Sequence, residues 1–237
     1  MTRRRWIADQ FSGNRATLVG SHAEHLSRVL RAKVGQEFDI VTGPTVRRGR
    51  ISAITPDQIE FDLGEEVPVA SLPKITLALS IFKFDRMEWA IEKCTELGVG
   101  EIIPLIVQRS EKHLVAASSK RLERWRKIVK QASEQSRRAT TPEISSPMEL
   151  KDLVPLRSGL NIFLAEGEKQ ESLADIFDSD VSAQVVTLAC GPEGGWTTTE
   201  LNVFRDAGWL PASLGPTILR AETAAISALA IALSRLY

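Results

Sequence analysis

From Pro73 to its end the chain keeps one rhythm: an apolar run of strand length, then a stretch with helical spacing, then another apolar run. Ile75-Thr76-Leu77-Ala78-Leu79-Ser80-Ile81 reads as a buried strand. Behind it Met87, Ala90, Ile91, Cys94 and Leu97 share one helical face, with Asp85 expected as N-cap, Glu88 at N3 and Gly98 as the stop. Ile102 to Val107 is the next strand, interrupted only by Pro104. Leu122, Trp125, Ile128, Val129 and Ala132 then mark an amphipathic helix that also carries Arg121, Arg124, Lys127 and Lys130. A strand over Leu160–Ala165, a short helix around Leu173–Phe177 and a strand over Val185–Cys190 follow. Thr197 and Glu200 have capping-box spacing and open a helix ending near Gly208, and an alanine-rich helix closes the chain from about Glu222 to Leu236. Strands that alternate with helices are joined by crossovers, so the expected class is α/β, with a mostly parallel sheet covered on both faces.

The first seventy residues follow a different rule. Arg15–Val19, Glu37–Val41, Arg50–Ile54 and Gln58–Asp62 are short, partly alternating segments bounded by Gly, Pro, Asn or Asp. Ser21 and Glu24 have capping-box spacing and lead into His25–Leu30. A small barrel carrying one helix fits this pattern. The alternation stops in Glu65–Pro73, which places a domain over 1–70 and a second over 74–237.

The chain has 30 Lys+Arg and 30 Asp+Glu, but the zero sum hides a pattern. Residues 1–50 hold ten basic and four acidic side chains; residues 108–138 hold ten and three. Residues 139–237 hold six basic and thirteen acidic side chains. Two basic islands on an otherwise acidic chain are a footprint for a polyanion or a pair of solvated faces, and charge alone does not choose. No apolar run reaches the roughly 18 residues of a membrane span. The arginines at the N-terminus lack the apolar stretch of a secretory signal. Cys94 and Cys190 are far apart and without metal-ligand spacing, so a cytosolic protein with neither a disulfide scaffold nor a metal site is expected.

The densest chemical signal is Gly191-Pro192-Glu193-Gly194-Gly195, between an apolar strand and a capped helix. Glycine and proline at this density specify a tight backbone path that a ligand can approach closely. The Lys-Ser/Thr pair of a Walker A loop and the G-x-G-x-x-G spacing are both missing, so the common nucleotide loops are excluded. A second turn, Leu214-Gly215-Pro216, leads through Ile218, Leu219 and Arg220 into a helix with Glu222 in its first turn, where unpaired N–H groups and the positive dipole end are available.

These residues resemble the RsmE family of ribosomal RNA methyltransferases. Gly191-Pro192-Glu193-Gly194-Gly195-Trp196-Thr197, with Glu200, is similar to one family signature; Leu214-Gly215-Pro216-Thr217-Ile218-Leu219-Arg220-Ala221-Glu222-Thr223-Ala224 is similar to the other. The likeness extends to His25–Arg31, Asp85–Trp89, Lys93, Glu96–Val99, Pro104-Leu105, Arg109-Ser110, Arg124-Trp125 and Ala132–Arg138. The chain departs at Thr217, where many relatives carry Arg, and at Phe84, where they carry Gly.

The resemblance implies a PUA-like N-terminal barrel followed by a SPOUT methyltransferase domain, whose chain end is threaded into a trefoil knot. It implies transfer of a methyl group from S-adenosylmethionine to N3 of a uridine in 16S RNA of the small ribosomal subunit, without a metal, by a homodimer in the cytoplasm. Carried over by motif, the cofactor walls are Leu164, Ala165, Glu166, Gly191, Pro192, Glu193, Gly194, Gly195, Leu214, Gly215, Ile218, Leu219, Arg220, Thr223 and Ala224. Arg220 is the candidate for stabilising a uracil anion, since a guanidinium can donate two hydrogen bonds to a carbonyl edge. Glu193 or Glu222 is the candidate proton acceptor, with helix capping or a dimer contact as the competing role of Glu222. Candidate RNA contacts are Arg3, Arg4, Arg5, Arg28, Arg31 and Lys33 in the barrel, and Arg109, Arg124 and Arg138 beyond it, with Trp6 as a base stacker or a core residue. Two other readings stand beside this one: a methyltransferase of the same fold acting on another RNA position, and a non-catalytic RNA-binding assembly factor.

Overall fold

A computed structural model of the chain describes residues 5–68, 73–136, 138–165, 171–179 and 184–236; Arg3, Arg4 and Glu166 lie outside them. Two units are distinguished, Met1–Ser71 with Ser133–Thr140, and Leu72–Ala132 with Thr141–Tyr237.

The first unit contains β1 (Arg5–Ile7), β2 (Gln10–Ser12), β3 (Arg15–Val19), α1 (Ser21–Glu24), a π-helical turn over His25–Val29, β4 (Glu37–Thr42), β5 (Thr45–Ile54) and β6 (Gln58–Glu66). They form one six-stranded sheet in the order β1-β4-β5-β6-β3-β2. It is a curled half-barrel with β1 and β2 at its two edges, where the alternation predicts a barrel. Only β1 and β4 pair in parallel. Register shifts between Arg47 and Gly49 and between Ile51 and Ala53 bend β5 against β6. Ile59, Phe61 and Leu63 turn inward at a spacing of two, onto Leu18, Leu26, Ile40 and Ile51. Trp6 is half-buried against this core, its ring 6.3 Å from His22 and 5.8 Å from His25.

The capping box expected at Ser21 does not form. Gly20, at φ 57°, is the N-cap, and its carbonyl accepts from Glu24 N at 3.0 Å. Ser21 is therefore already inside the helix, one position too late for its hydroxyl to reach the end. His22 next to it is held between two carboxylates, with Nδ1 3.1 Å from Asp9 and Nε2 3.2 Å from Glu134. The hydrogen bond to Glu134, aided by Asp9 and opposed by burial, raises its pKa above 6.5.

The second unit runs β7 (Lys74–Ser80), α2 (Phe84–Leu97), β8 (Glu101–Ile106), α3 (Lys112–Gln135, whose last residues from Ser133, Glu134 among them, belong to the first unit), β9 (Glu143–Ile144), β10 (Met148–Glu149), α4 (Leu150–Leu153), β11 (Leu160–Leu164), α5 (Leu173–Ser179), β12 (Val185–Cys190), α6 (Thr198–Asp206), β13 (Leu210–Ala212) and α7 (Ala221–Leu236). Its seven strands are parallel, in the order β10-β8-β7-β12-β11-β13, with β9 beside β8. Neighbours along a strand serve opposite faces. Leu77, Leu79, Ile162 and Leu188 meet Trp125 and the apolar faces of α2, α5 and α7. Ala78, Ile103, Phe163 and Ala189 meet Leu150, Trp196, Phe204 and Trp209 on the other side. This is the α/β sheet covered on both faces that the sequence rhythm demands.

Helix α2 corrects one detail. Its N-cap is Lys83, without a side-chain cap, and Asp85 lies in the first turn. Phe84 is drawn into the helix by an edge-on contact with Trp125 at 5.8 Å, and the Arg121 guanidinium lies 4.9 Å over its ring. The departure at Phe84 is thus a packing residue beneath a cation.

Candidate functional site

The parallel register decides where the turns emerge. Cys190 lies opposite Leu79, Ser80 opposite Leu105, Phe163 opposite Ala189, and Leu164 opposite Ala212. The carboxyl ends of β7, β8, β11, β12 and β13 therefore share one edge, and both glycine turns issue from it. In open α/β sheets that edge is where ligands bind.

The turn after β12 is fixed from several sides. Gly195 has φ +68°, and its N–H donates to Pro192 O at 2.8 Å. A Cβ on Gly191 would stand 3.2 Å from the Trp196 indole, so only glycine passes there with ease. Trp196 is buried and donates from Nε1 to Leu164 O at 2.7 Å, which ties the ends of β11 and β12 together. Arg109 Nη1 donates to the carbonyls of Gly194 and Trp196. The capping box at Thr197 forms as its spacing predicts. Glu200 is buried; its Oε2 accepts from Thr197 N at 2.8 Å and its Oε1 from Gln108 N at 2.7 Å, joining α6 to the end of β8.

The second turn leaves β13 beside it. Ala165 N donates to Ala212 O at 3.0 Å, and Gly215 N donates to Ser213 Oγ at 3.1 Å. Leu214, Leu219 and Ala224 are half-buried, whereas Gly215, Arg220 and Thr223 are exposed. Ile218 is 81% exposed, an unusual state for a large apolar side chain next to a ligand-type turn. The motif-derived cofactor residues that are described thus lie along one sheet edge and at the head of α7.

Charge at this edge centres on a residue that sequence reasoning did not single out. Arg86, in the first turn of α2, places Nη1 3.0 Å from Glu193 Oε1 and Nε 3.8 Å from Glu222 Oε1. Glu222 is only 6% exposed, and its Oε2 is buried with no hydrogen-bond partner. Arg86 stands within the matching segment Asp85–Trp89, but no local pattern reveals that it meets a carboxylate 107 residues away.

The candidate RNA contacts divide. Arg28, Arg31 and Lys33 are exposed, with Arg28 paired to Glu24 at 2.6 Å, and Arg5 is half-buried on β1. Arg109 is engaged with the glycine turn, and Arg124 Nε donates to both oxygens of Glu88 at 2.8 Å. Arg138 is buried, donates to Thr140 O at 3.1 Å, and burial lowers its pKa to about 10. Its guanidinium supports the chain locally and is not presented to a phosphate, against the expectation from sequence. Both cysteines are buried, which pushes Cys190 up to about 12 and Cys94 well above the ordinary range, so neither supplies a reactive thiolate.

Comparison with known proteins places this geometry. The sequence model described as an RNA methyltransferase domain matches residues 70–233. The chain is 35% identical over 220 residues to a ribosomal RNA small subunit methyltransferase E of Synechocystis sp., covering 90% of this chain and 71% of that one. Among solved structures it is similar to a methyltransferase from Legionella pneumophila in complex with the cofactor SAM, at TM-score 0.83 and 30% identity, covering 99% of this chain and 98% of the other. It is likewise similar to a ribosomal RNA small subunit methyltransferase E from Neisseria gonorrhoeae bound to S-adenosyl methionine, at TM-score 0.83 and 28% identity, covering 97% and 96%.

Proposed function

Because the chain belongs to the RNA methyltransferase family, in its ribosomal small-subunit methyltransferase E branch, we propose that it methylates N3 of a uridine in small-subunit ribosomal RNA with S-adenosylmethionine as donor. The observation that carries the reading is the meeting of both glycine turns and the head of α7 on one sheet edge. The residues fit the cofactor on their own terms. Gly191 is packed on the Trp196 indole and Gly195 turns the chain at φ +68°, so this loop offers main chain rather than side chains of its own, and the exposed turn at Gly215, with open space around it, adds further backbone groups. Its holders would be the main chain of Leu164-Ala165, Gly191 to Gly195, Leu214-Gly215 and Ile218 to Ala224.

When bound, S-adenosylmethionine supplies a methyl group already activated on a sulfonium. The chain's own task is then orientation, exclusion of water and removal of the uracil N3 proton. Arg86 approaches both carboxylates, Glu193 at 3.0 Å and Glu222 at 3.8 Å; Glu222 is assigned as proton acceptor because its second oxygen is buried and has no hydrogen-bond partner. Arg220 is exposed at the start of α7 and is assigned the uracil carbonyl that gains negative charge. Arg31 and Lys33, exposed in the first unit, are assigned to RNA phosphates. We extend the reading to a homodimer, for which the bare apolar side chains of Ile218 and Trp89, 81% and 48% exposed, are the supporting feature.

The test is incubation with unmodified small ribosomal subunits and cofactor, followed by nucleoside mass spectrometry. N3-methyluridine is the expected product. Methylated ribose or another methylated base overturns the position assigned, and the absence of any methyl transfer together with absent cofactor binding overturns the enzymatic reading.

A further inference from the structure

Resting on that reading of the glycine turns, we propose that Arg86 is a positioning residue for methyl transfer, acting through Glu222. Three observations carry it. Arg86 is the cation in ion-pair range of both carboxylates at this edge, 3.0 Å from Glu193 and 3.8 Å from Glu222. It sits on α2, whereas Glu193 belongs to the turn after β12 and Glu222 to α7, so a single guanidinium ties three separately placed chain segments. Glu222 Oε2 is buried and without a partner while Oε1 faces Arg86.

Stability does not account for this arrangement. The Arg86 and Glu193 side chains are about one-third exposed, 32% and 38%, and ion pairs in that setting add little to folding. An unclaimed carboxylate oxygen in the interior is costly and calls for a partner, which at this edge a substrate group can supply. Arg86 supplies what that oxygen needs: it anchors Oε1, keeps the side chain in one rotamer and leaves Oε2 as the acceptor. The planar, forked guanidinium serves two carboxylates at once, which a lysine ammonium does less well. The second ion pair holds Glu193, and with it the turn, at a fixed place beside Glu222.

The inference is tested with the full-length chain in a methyl-transfer assay on unmodified small subunits, using R86Q, R86K, E222Q and the double variant R86Q/E222Q. Cofactor affinity is measured separately by calorimetry. R86Q is expected to lower kcat at least tenfold while the Kd for S-adenosylmethionine changes less than threefold, because Arg86 touches side chains and not the main-chain cradle. R86K recovers part of the loss. The double variant is no slower than E222Q alone, as two residues acting through one group are not additive. Multiplying losses in the double variant, full activity of R86Q, or a loss seen only in cofactor affinity each overturn the proposal. An inactive wild-type chain would instead count against the reading on which it rests, so the two failures are distinguishable.

Discussion

Gly195 makes the strictest local demand in the site. Its φ of +68° lies where a β-branched residue is a steric outlier, while the nearest side-chain atom to an added Cβ is Arg109 Nη1 at 4.0 Å. Gly195→Val therefore meets backbone strain of about 1–3 kcal/mol and little clash. The turn re-routes, and the core below it stays. The expected outcome is loss of S-adenosylmethionine binding by calorimetry, with thermal unfolding close to that of the parent chain. Unimpaired binding would remove this turn from the pocket. Residues of this kind are legible in sequence because their demand is local: glycine and proline announce a backbone path by themselves. Arg86 is not legible in that way, nor is the unclaimed oxygen of Glu222. Both depend on a contact between α2, a turn after β12 and the head of α7, which only the sheet register brings about.

At the scale of elements, two capping boxes with the same spacing had different fates. Thr197 forms one because its backbone is extended just before α6 and its Glu200 partner is fixed by Gln108. Ser21 does not, since the left-handed Gly20 starts α1 a residue earlier. Strands of two or three residues, such as β9, β10 and β13, carry too little periodicity to be read, whereas the long buried runs of β7, β8 and β12 were plain. What ties short elements together is again side-chain chemistry. His22 joins α1 to Asp9 and to Glu134 at the end of α3. Its pKa is raised in the folded state, so folding binds a proton more tightly than the open chain does. The stabilisation is complete below the unfolded value of 6.5 and is lost as pH rises through the higher folded value. Hydrogen exchange of β3 and β4 amides should accelerate across that window, after correction for intrinsic rates, and His22→Gln should flatten the trend. Identical pH trends in the two chains would show that the clamp does not support this unit.

For the whole molecule, the two basic islands overstate the charge that an RNA can meet. Much of it is spent internally: Arg47 donates to Gly13, Leu63 and Gly64 carbonyls and to Asn14, Arg48 pairs with Asp39, Arg124 with Glu88, and Arg138 is buried. Among the described residues, Arg31, Lys33, Lys112, Lys120 and Lys127 are exposed cations with no ion-pair partner. Sequence arithmetic cannot make this division, because Arg and Lys count alike whether they hold a carbonyl or face water. Salt dependence can. Each cation that neutralises a phosphate of single-stranded RNA contributes about 0.7 to the slope of log affinity against log salt. The double change Lys120→Gln and Lys127→Gln should then lower the slope by about 1.4, measured by fluorescence anisotropy on a ribosomal RNA fragment. Arg138→Gln should leave the slope unchanged, because its guanidinium is already committed to the fold. If Arg138→Gln reduces the slope as much as a surface lysine does, burial is not what separates structural from RNA-binding cations in this chain.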